Sequence, residues 1–216
     1  MQHVLTFVLI LVLSIISFAQ GGSPLRQVKS RVIKSSSMPA VDLEFGKGFK
    51  YAGGHKFVLY DVANAEQHFF VDADNEGRVK RMYWVQFEGY LPTNNHTYKY
   101  TPTKTVNIGG LDFIADGYSR NIKTNPGRAG GDGMRAREFL ATKGYRLASD
   151  DVLSQRLVHL IGNRDELMII YLEDMTPIGL TAADFEAGGK AAAKWPEISE
   201  ALLARARKDL KIKPRK

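Results

Sequence analysis

The sequence predicts an α+β fold: an antiparallel β-sheet built from hairpins, with one inserted helix and C-terminal helices packed on it. Three observations carry this expectation. Apolar runs of period two alternate with turn-forming tetrapeptides over residues 56–88 and 156–172. A Gly-rich stretch between them gives way at Asp132 to a helical composition that stops at Gly144. Near the C-terminus, Ile198, Leu202, Ala206 and Leu210 recur every four residues. No parallel βαβ series or dinucleotide fingerprint is present, so the hairpin signals imply a sheet of about five to seven strands.

The chain opens on an apolar run, Val4 to Phe18, broken only by Thr6, Ser14 and Ser17. At about 15 residues it falls short of the roughly 20 that span a bilayer. Ser17 and Ala19 place small residues where a signal peptidase reads. Residues 1–19 are therefore expected to be a signal peptide, cleaved before Gln20, leaving a secreted or periplasmic chain. No later segment has spanning length, so no transmembrane helix is expected in the mature chain. Cysteine is absent, which excludes disulfides, thiol catalysis, Cys-ligated zinc and iron–sulfur clusters.

The charge is unevenly placed. Of the +7 on the whole chain, residues 205–216 carry +6 and residues 20–34 carry +4, which leaves −3 on residues 35–204. A folded reader of nucleic acid carries its basic patch on the fold, so no specific nucleic acid is expected. Basic ends on an exported chain match an anionic envelope surface, or serve solubility alone. Residues 20–40 read as a flexible basic leader, 41–210 as one domain and 211–216 as a basic tail.

Within the domain, Lys56–Tyr60, Gln67–Val71 and Arg78–Glu88 read as strands. Gly77 suits the positive-φ position of a three-residue loop, Asn75-Glu76-Gly77. That loop sets a register with Asp72 opposite Lys80, Phe70 opposite Met82, His68 opposite Trp84 and Glu66 opposite Gln86. Val71, Phe69, Tyr83, Val85 and Phe87 then share the core face. Leu111–Ala115 follows a Gly109-Gly110 turn as another strand. Asp132 is the expected N-cap of a helix over residues 133–143, with Gly144 its left-handed stop and Tyr145 folding back on Leu140. Arg156–Ile161 and Leu167–Leu172 flank the turn Gly162-Asn163-Arg164-Asp165, and the second is apolar on both faces, as a central strand is. Thr181-Ala182-Ala183-Asp184 resembles a capping box, and Pro196 opens the last helix.

Motifs for chemistry are weak. Asp72, Asp74 and Glu76 imitate the start of a calcium loop, but its twelfth position is Tyr83 rather than a bidentate Glu. His68, His96 and His159 lack ligand spacing, so no metal is expected, and no motif implies a cofactor. No Gly-x-Ser-x-Gly elbow exists. Arg128 and Arg135 flank the Gly-rich loop before the helix, a weak anion-binding arrangement. The register above lines Glu66, His68, Trp84, Gln86 and Glu88 along one mixed face, where a Trp beside polar groups suits a small-molecule or protein partner. The first functional reading is an exported, non-catalytic binding or accessory domain of the periplasm or cell envelope, its ligand unknown. The alternative is a small secreted hydrolase using strand-end carboxylates, with Glu88, Glu173 and His68 converging. A third is an envelope-associated structural protein held by its basic ends.

Overall fold

The computed structural model describes residues 24–102 and 104–215. The expected signal peptide and its cleavage site before Gln20 lie outside the described residues. The strands in chain order are β1 (Gln27–Lys29), β2 (Val32–Ser36), β3 (Ala40–Phe45), β4 (Lys50–Leu59), β5 (Ala63–Ala73), β6 (Arg78–Tyr90), β7 (Thr105–Ile108) and β8 (Leu111–Asn121). Helix α1 (Asp132–Thr142) follows, then β9 (Arg146–Leu147), β10 (Asp151–Ile161), β11 (Asp165–Asp174), α2 (Trp195–Lys208) and β12 (Leu210–Pro214). The main sheet has the order β4-β5-β6-β11-β10-β8-β7, with β9 added parallel to β6. A second sheet has the order β1-β2-β3-β12.

The main sheet is covered on both faces. On one, Phe70, Tyr83, Val85, Phe87, Leu157 and Ile169 pack with Ile33, Leu43 and Phe45 of the second sheet and Leu202 and Ala206 of α2. Phe45 stacks on Phe70 at 4.1 Å between ring centroids, and the Tyr83 hydroxyl donates to the Ala206 carbonyl at 2.7 Å. On the other face, Phe69, Trp84, Val158 and Ile170 pack under Ala136 and Leu140 of α1. The two-sided apolar run 167–172 lies in β11, between β6 and β10. Helix α1 ends as its sequence implies: Gly144 takes φ +79° and the Tyr145 N–H reaches back to the Leu140 carbonyl at 2.9 Å. Among the described residues, no helix is long and apolar enough to cross a membrane.

The hairpin of β5 and β6 forms around Gly77, at φ +75°, but its register differs by one residue from expectation. Ala73 pairs with Val79 and Asp72 with Arg81, which leaves Lys80 as the extra residue of a bulge. Beyond it Phe70 faces Tyr83, Phe69 faces Trp84, His68 faces Val85 and Gln67 faces Gln86. Phe70, not Phe69, therefore shares a face with Tyr83, Val85 and Phe87. The expected penalty for such a slip is absent because Phe69-Phe70-Val71 is apolar in both parities and both faces are buried.

Among the described residues, both basic segments belong to the fold. The expected flexible leader contains β1 and β2, with Ile33 and Ser35 wholly buried. The expected basic tail is mostly β12, paired with β3. These strands are short and bury one face each, so they give little periodic signal. The two basic ends, remote in sequence, thus meet in one sheet. Its ladder rows run Gln27–Lys34–Asp42–Lys213 and Lys29–Val32–Glu44–Lys211. Lys29, Lys34, Lys211 and Lys213 are exposed there.

Candidate functional site

A cavity of about 850 Å³ opens where β4, β5 and β6 meet the N-terminal segment. Two ladder rows on one face of the main sheet contribute its floor, Val58–Asn64–Gly89–Asp165 and Lys56–Glu66–Phe87. Leu25, Arg26 and Met38 close over it. A Cβ on Gly89 would press on Asp165 Oδ1 and stand 2.8 Å from Met38 Cε, so a larger residue there would have to push these two side-chain ends aside. Leu25 is 72% exposed, Val58 46% and Met38 37%. With Ile178 they are the only exposed large apolar side chains among the described residues, so this surface concentrates at the cavity.

Glu66 ties the roof to the floor. Its carboxylate accepts from the Leu25 and Arg26 backbone N–H groups, each at 2.9 Å, from Arg26 Nη1 at 3.1 Å and from His68 Nε2 at 2.8 Å. With Nε2 donating, His68 Nδ1 accepts from the Tyr51 hydroxyl at 3.0 Å. Burial acts to raise the Glu66 pKa, but these hydrogen bonds and the Arg26 charge outweigh it and hold the group at about 2. Arg26 also lies over the Phe87 ring, 4.2 Å from its centroid. Burial and the Glu66 charge push Tyr51 up to about 12.

The opposite face of the sheet carries a buried polar chain. His55 Nε2 bonds Gln67 Oε1 at 2.8 Å, Gln67 donates to Gln86 Oε1 at 2.7 Å, and Gln86 donates to Glu88. The segment between β6 and β7 crosses above and supplies Tyr98, which donates to Glu88 at 2.6 Å, and Tyr100, which donates to Glu166 at 2.8 Å. Glu88 and Glu166 are direct partners on β6 and β11. Burial raises the pKa of both carboxyls, Glu166 to about 7, against the lowering effect of the tyrosine hydrogen bonds. Burial lowers that of His55. The chain reaches the cavity wall through Ala65, which lines the cavity and pairs with Glu88.

Comparison of the chain with family models, with curated proteins and with solved structures returns no match. The geometry therefore has to carry the reading by itself, and it redistributes the residues that the sequence singled out. Glu66 and His68 lie on the face toward the second sheet, whereas Trp84, Gln86 and Glu88 lie on the face under α1 and the crossing segment. All five are buried, so they form no shared open face, and only Glu66 lines the cavity. The expected convergence of Glu88, Glu173 and His68 is absent. Glu173 pairs with Arg81 near the far end of β11, bound to Arg205 at 2.7 Å and to the Tyr171 hydroxyl at 2.6 Å. Arg128 stacks on Tyr60 at 4.2 Å, while Arg135 lies 5.8 Å from the Phe57 ring centroid and lines the cavity.

Among the described residues, two buried donors lack an acceptor, Trp84 Nε1 and Arg135 Nε. Trp84 borders a separate void of about 60 Å³ under α1, large enough for a water. Among the described residues, no group of three or more His, Asp or Glu is placed to hold a metal ion. Sequence reasoning missed Arg26, His55, Gln67, Tyr98, Tyr100 and Glu166. The one available signal was Glu166 itself, an acid immediately before a run apolar on both faces.

Proposed function

We propose that this chain is an exported, non-catalytic binding or accessory domain of the periplasm or cell envelope, and that it holds a small, largely apolar molecule in the cavity beneath Leu25, Arg26 and Met38. The observation that carries the reading is the concentration of exposed Leu25, Val58 and Met38 around a cavity of about 850 Å³. Ligand sites of this kind measure about 300–1,000 Å³ and are mostly apolar, with a few placed polar groups. Covering each of these half-exposed side chains contributes about 1–2 kcal/mol to binding. The outer face of the second sheet, with its four exposed lysines, is the natural place for contact with an anionic envelope surface.

The neutral fluorophore Nile red tests the reading. It should bind the folded chain, lose that site in Val58→Asp or Met38→Asp, and keep it in Ile178→Asp. Binding that survives both cavity substitutions would remove the proposal.

A second reading, the small secreted hydrolase, is favoured by one observation: two opposed buried carboxyls with raised pKa values, Glu88 and Glu166, suit acid–base work. Tyr98 and Tyr100 engage both carboxyls, which places it second. Turnover of any glycoside or ester that disappears in Glu166→Gln would reverse that order.

A further inference from the structure

Resting on that reading of the cavity, we infer that its ligand is an anionic amphiphile, an apolar chain ending in an oxyanion, and that Arg135 receives the oxyanion. Of the charged groups lining the cavity, Arg26 and Glu66 neutralise each other at 3.1 Å. Lys56, Arg135, Asp61 and Asp165 remain, and among the described residues none of them has an ion-pair partner within 4 Å. They differ in how well they are solvated. Asp61 is exposed, and neither Asp61 nor Asp165 has an oxygen buried without a partner. Arg135 does have such an atom: its Nε is buried with no acceptor.

A guanidinium N–H left in that state costs more than the hydrogen bond it lacks, because its hydration is lost as well. An oxyanion in the cavity supplies the counter-charge that Arg135 lacks, and the planar fork of arginine matches a carboxylate or phosphate through two parallel bonds. The ring nearest the guanidinium, Phe57, also lines the cavity. From there the wall continues along apolar Val58 to Leu25 and Met38. Phe57 and Val58 point to opposite faces of the edge strand β4, so a head at Arg135 and a tail on Val58, Leu25 and Met38 pass around that edge within the one cavity. Lys56, on the same strand as Phe57, adds a second uncompensated cation.

The experiment is displacement of Nile red, below micellar concentrations, by four probes of one chain length: dodecanoate, dodecyl phosphate, dodecanol and dodecyltrimethylammonium. In the wild-type chain either anion should displace the dye at a concentration about ten- to a hundredfold lower than dodecanol, the worth of one charge-assisted hydrogen-bond pair. Arg135→Gln should collapse that preference, and Arg135→Lys should restore part of it. Dye binding in each variant reports that the cavity has formed. Equal potency of dodecanol and the anions, a preference for the ammonium, or a preference that survives Arg135→Gln would overturn the inference while leaving the cavity reading standing. Dye binding unaffected by both Val58→Asp and Met38→Asp would remove the cavity reading, and this inference with it.

Discussion

Glu88 and Glu166 face each other directly across β6 and β11, and each accepts a hydrogen bond from a different tyrosine of the segment that crosses above them. Both are buried. The charges facing Glu166 are Glu88 and Asp132, which raise its pKa, and Arg156, which lowers it. Two directly opposed, buried carboxylates resist joint ionisation, so the pair should retain a proton that the unfolded chain releases.

That retention fixes the sign of a pH dependence. The Glu166 pKa is raised from 4.5 to about 7 on folding, so between these values the folded state binds more protons than the unfolded one. Stability should fall as pH rises through this window, by at most about 1.4 kcal/mol per pH unit. His55, with its lowered pKa, contributes the opposite slope below about pH 6.5, so the comparison must be made between variants. Urea unfolding should show Glu166→Gln gaining on the wild type from pH 5 to pH 8. Parallel profiles would mean that the pair does not share a proton.

Glu66 has the reverse sign. Its pKa falls from 4.5 to about 2 on folding, so its contribution is complete above pH 4.5 and is lost as pH drops through 2. Glu66→Gln should cost about 3 kcal/mol at neutral pH, since it leaves Arg26 without its buried counter-charge. Hydrogen exchange at the Leu25 and Arg26 amides should accelerate far more than at β6. Unchanged protection of those amides would show that other contacts hold the segment.

Tyr83 and Trp84 point to opposite faces, and each is buried. Tyr83→Ala and Trp84→Ala should each destabilise by about 3–5 kcal/mol, as large aromatic truncations in cores do. Chemical denaturation decides this. A Trp84→Ala cost near zero would restore the half-open face that the sequence implied.

How legible these features were in the sequence depended on which neighbours set them. Gly77, Gly144 and the run Leu167–Leu172 were readable because local backbone geometry or two-sided burial dictates them. The bulge at Lys80 was not, since Phe69, Phe70 and Val71 satisfy either register. The second sheet was hidden because β1, β2 and β12 come from opposite ends of the chain and are only three to five residues long. Of the site, Glu66 and Glu88 were singled out, but as members of one face. Their true partners, Arg26 and Glu166, are set by long-range pairing that no local pattern encodes.

The convergence of the basic ends changes how the tail must be tested. Truncation at Ala204 would remove β12 and the last turn of α2, so lost binding could reflect lost folding. Lys211→Glu with Lys213→Glu leaves the buried Leu210 and Ile212 in place. The double variant should fold and bind anionic vesicles more weakly than the wild type. Wild-type binding should also fade with salt, as exposed charges are screened over about 8 Å at physiological ionic strength. Salt-independent binding, or binding equal in the two proteins, would set this face aside.

The cavity under Leu25, Arg26 and Met38 is proposed to hold an apolar molecule. Native mass spectrometry of the chain purified from its own source tests it most directly, run beside Val58→Asp prepared in the same way. A bound small molecule, released on denaturation and carried by the wild type but not by the variant, is the expected result. A wild-type chain that carries nothing, or the same adduct on both proteins, would contradict it.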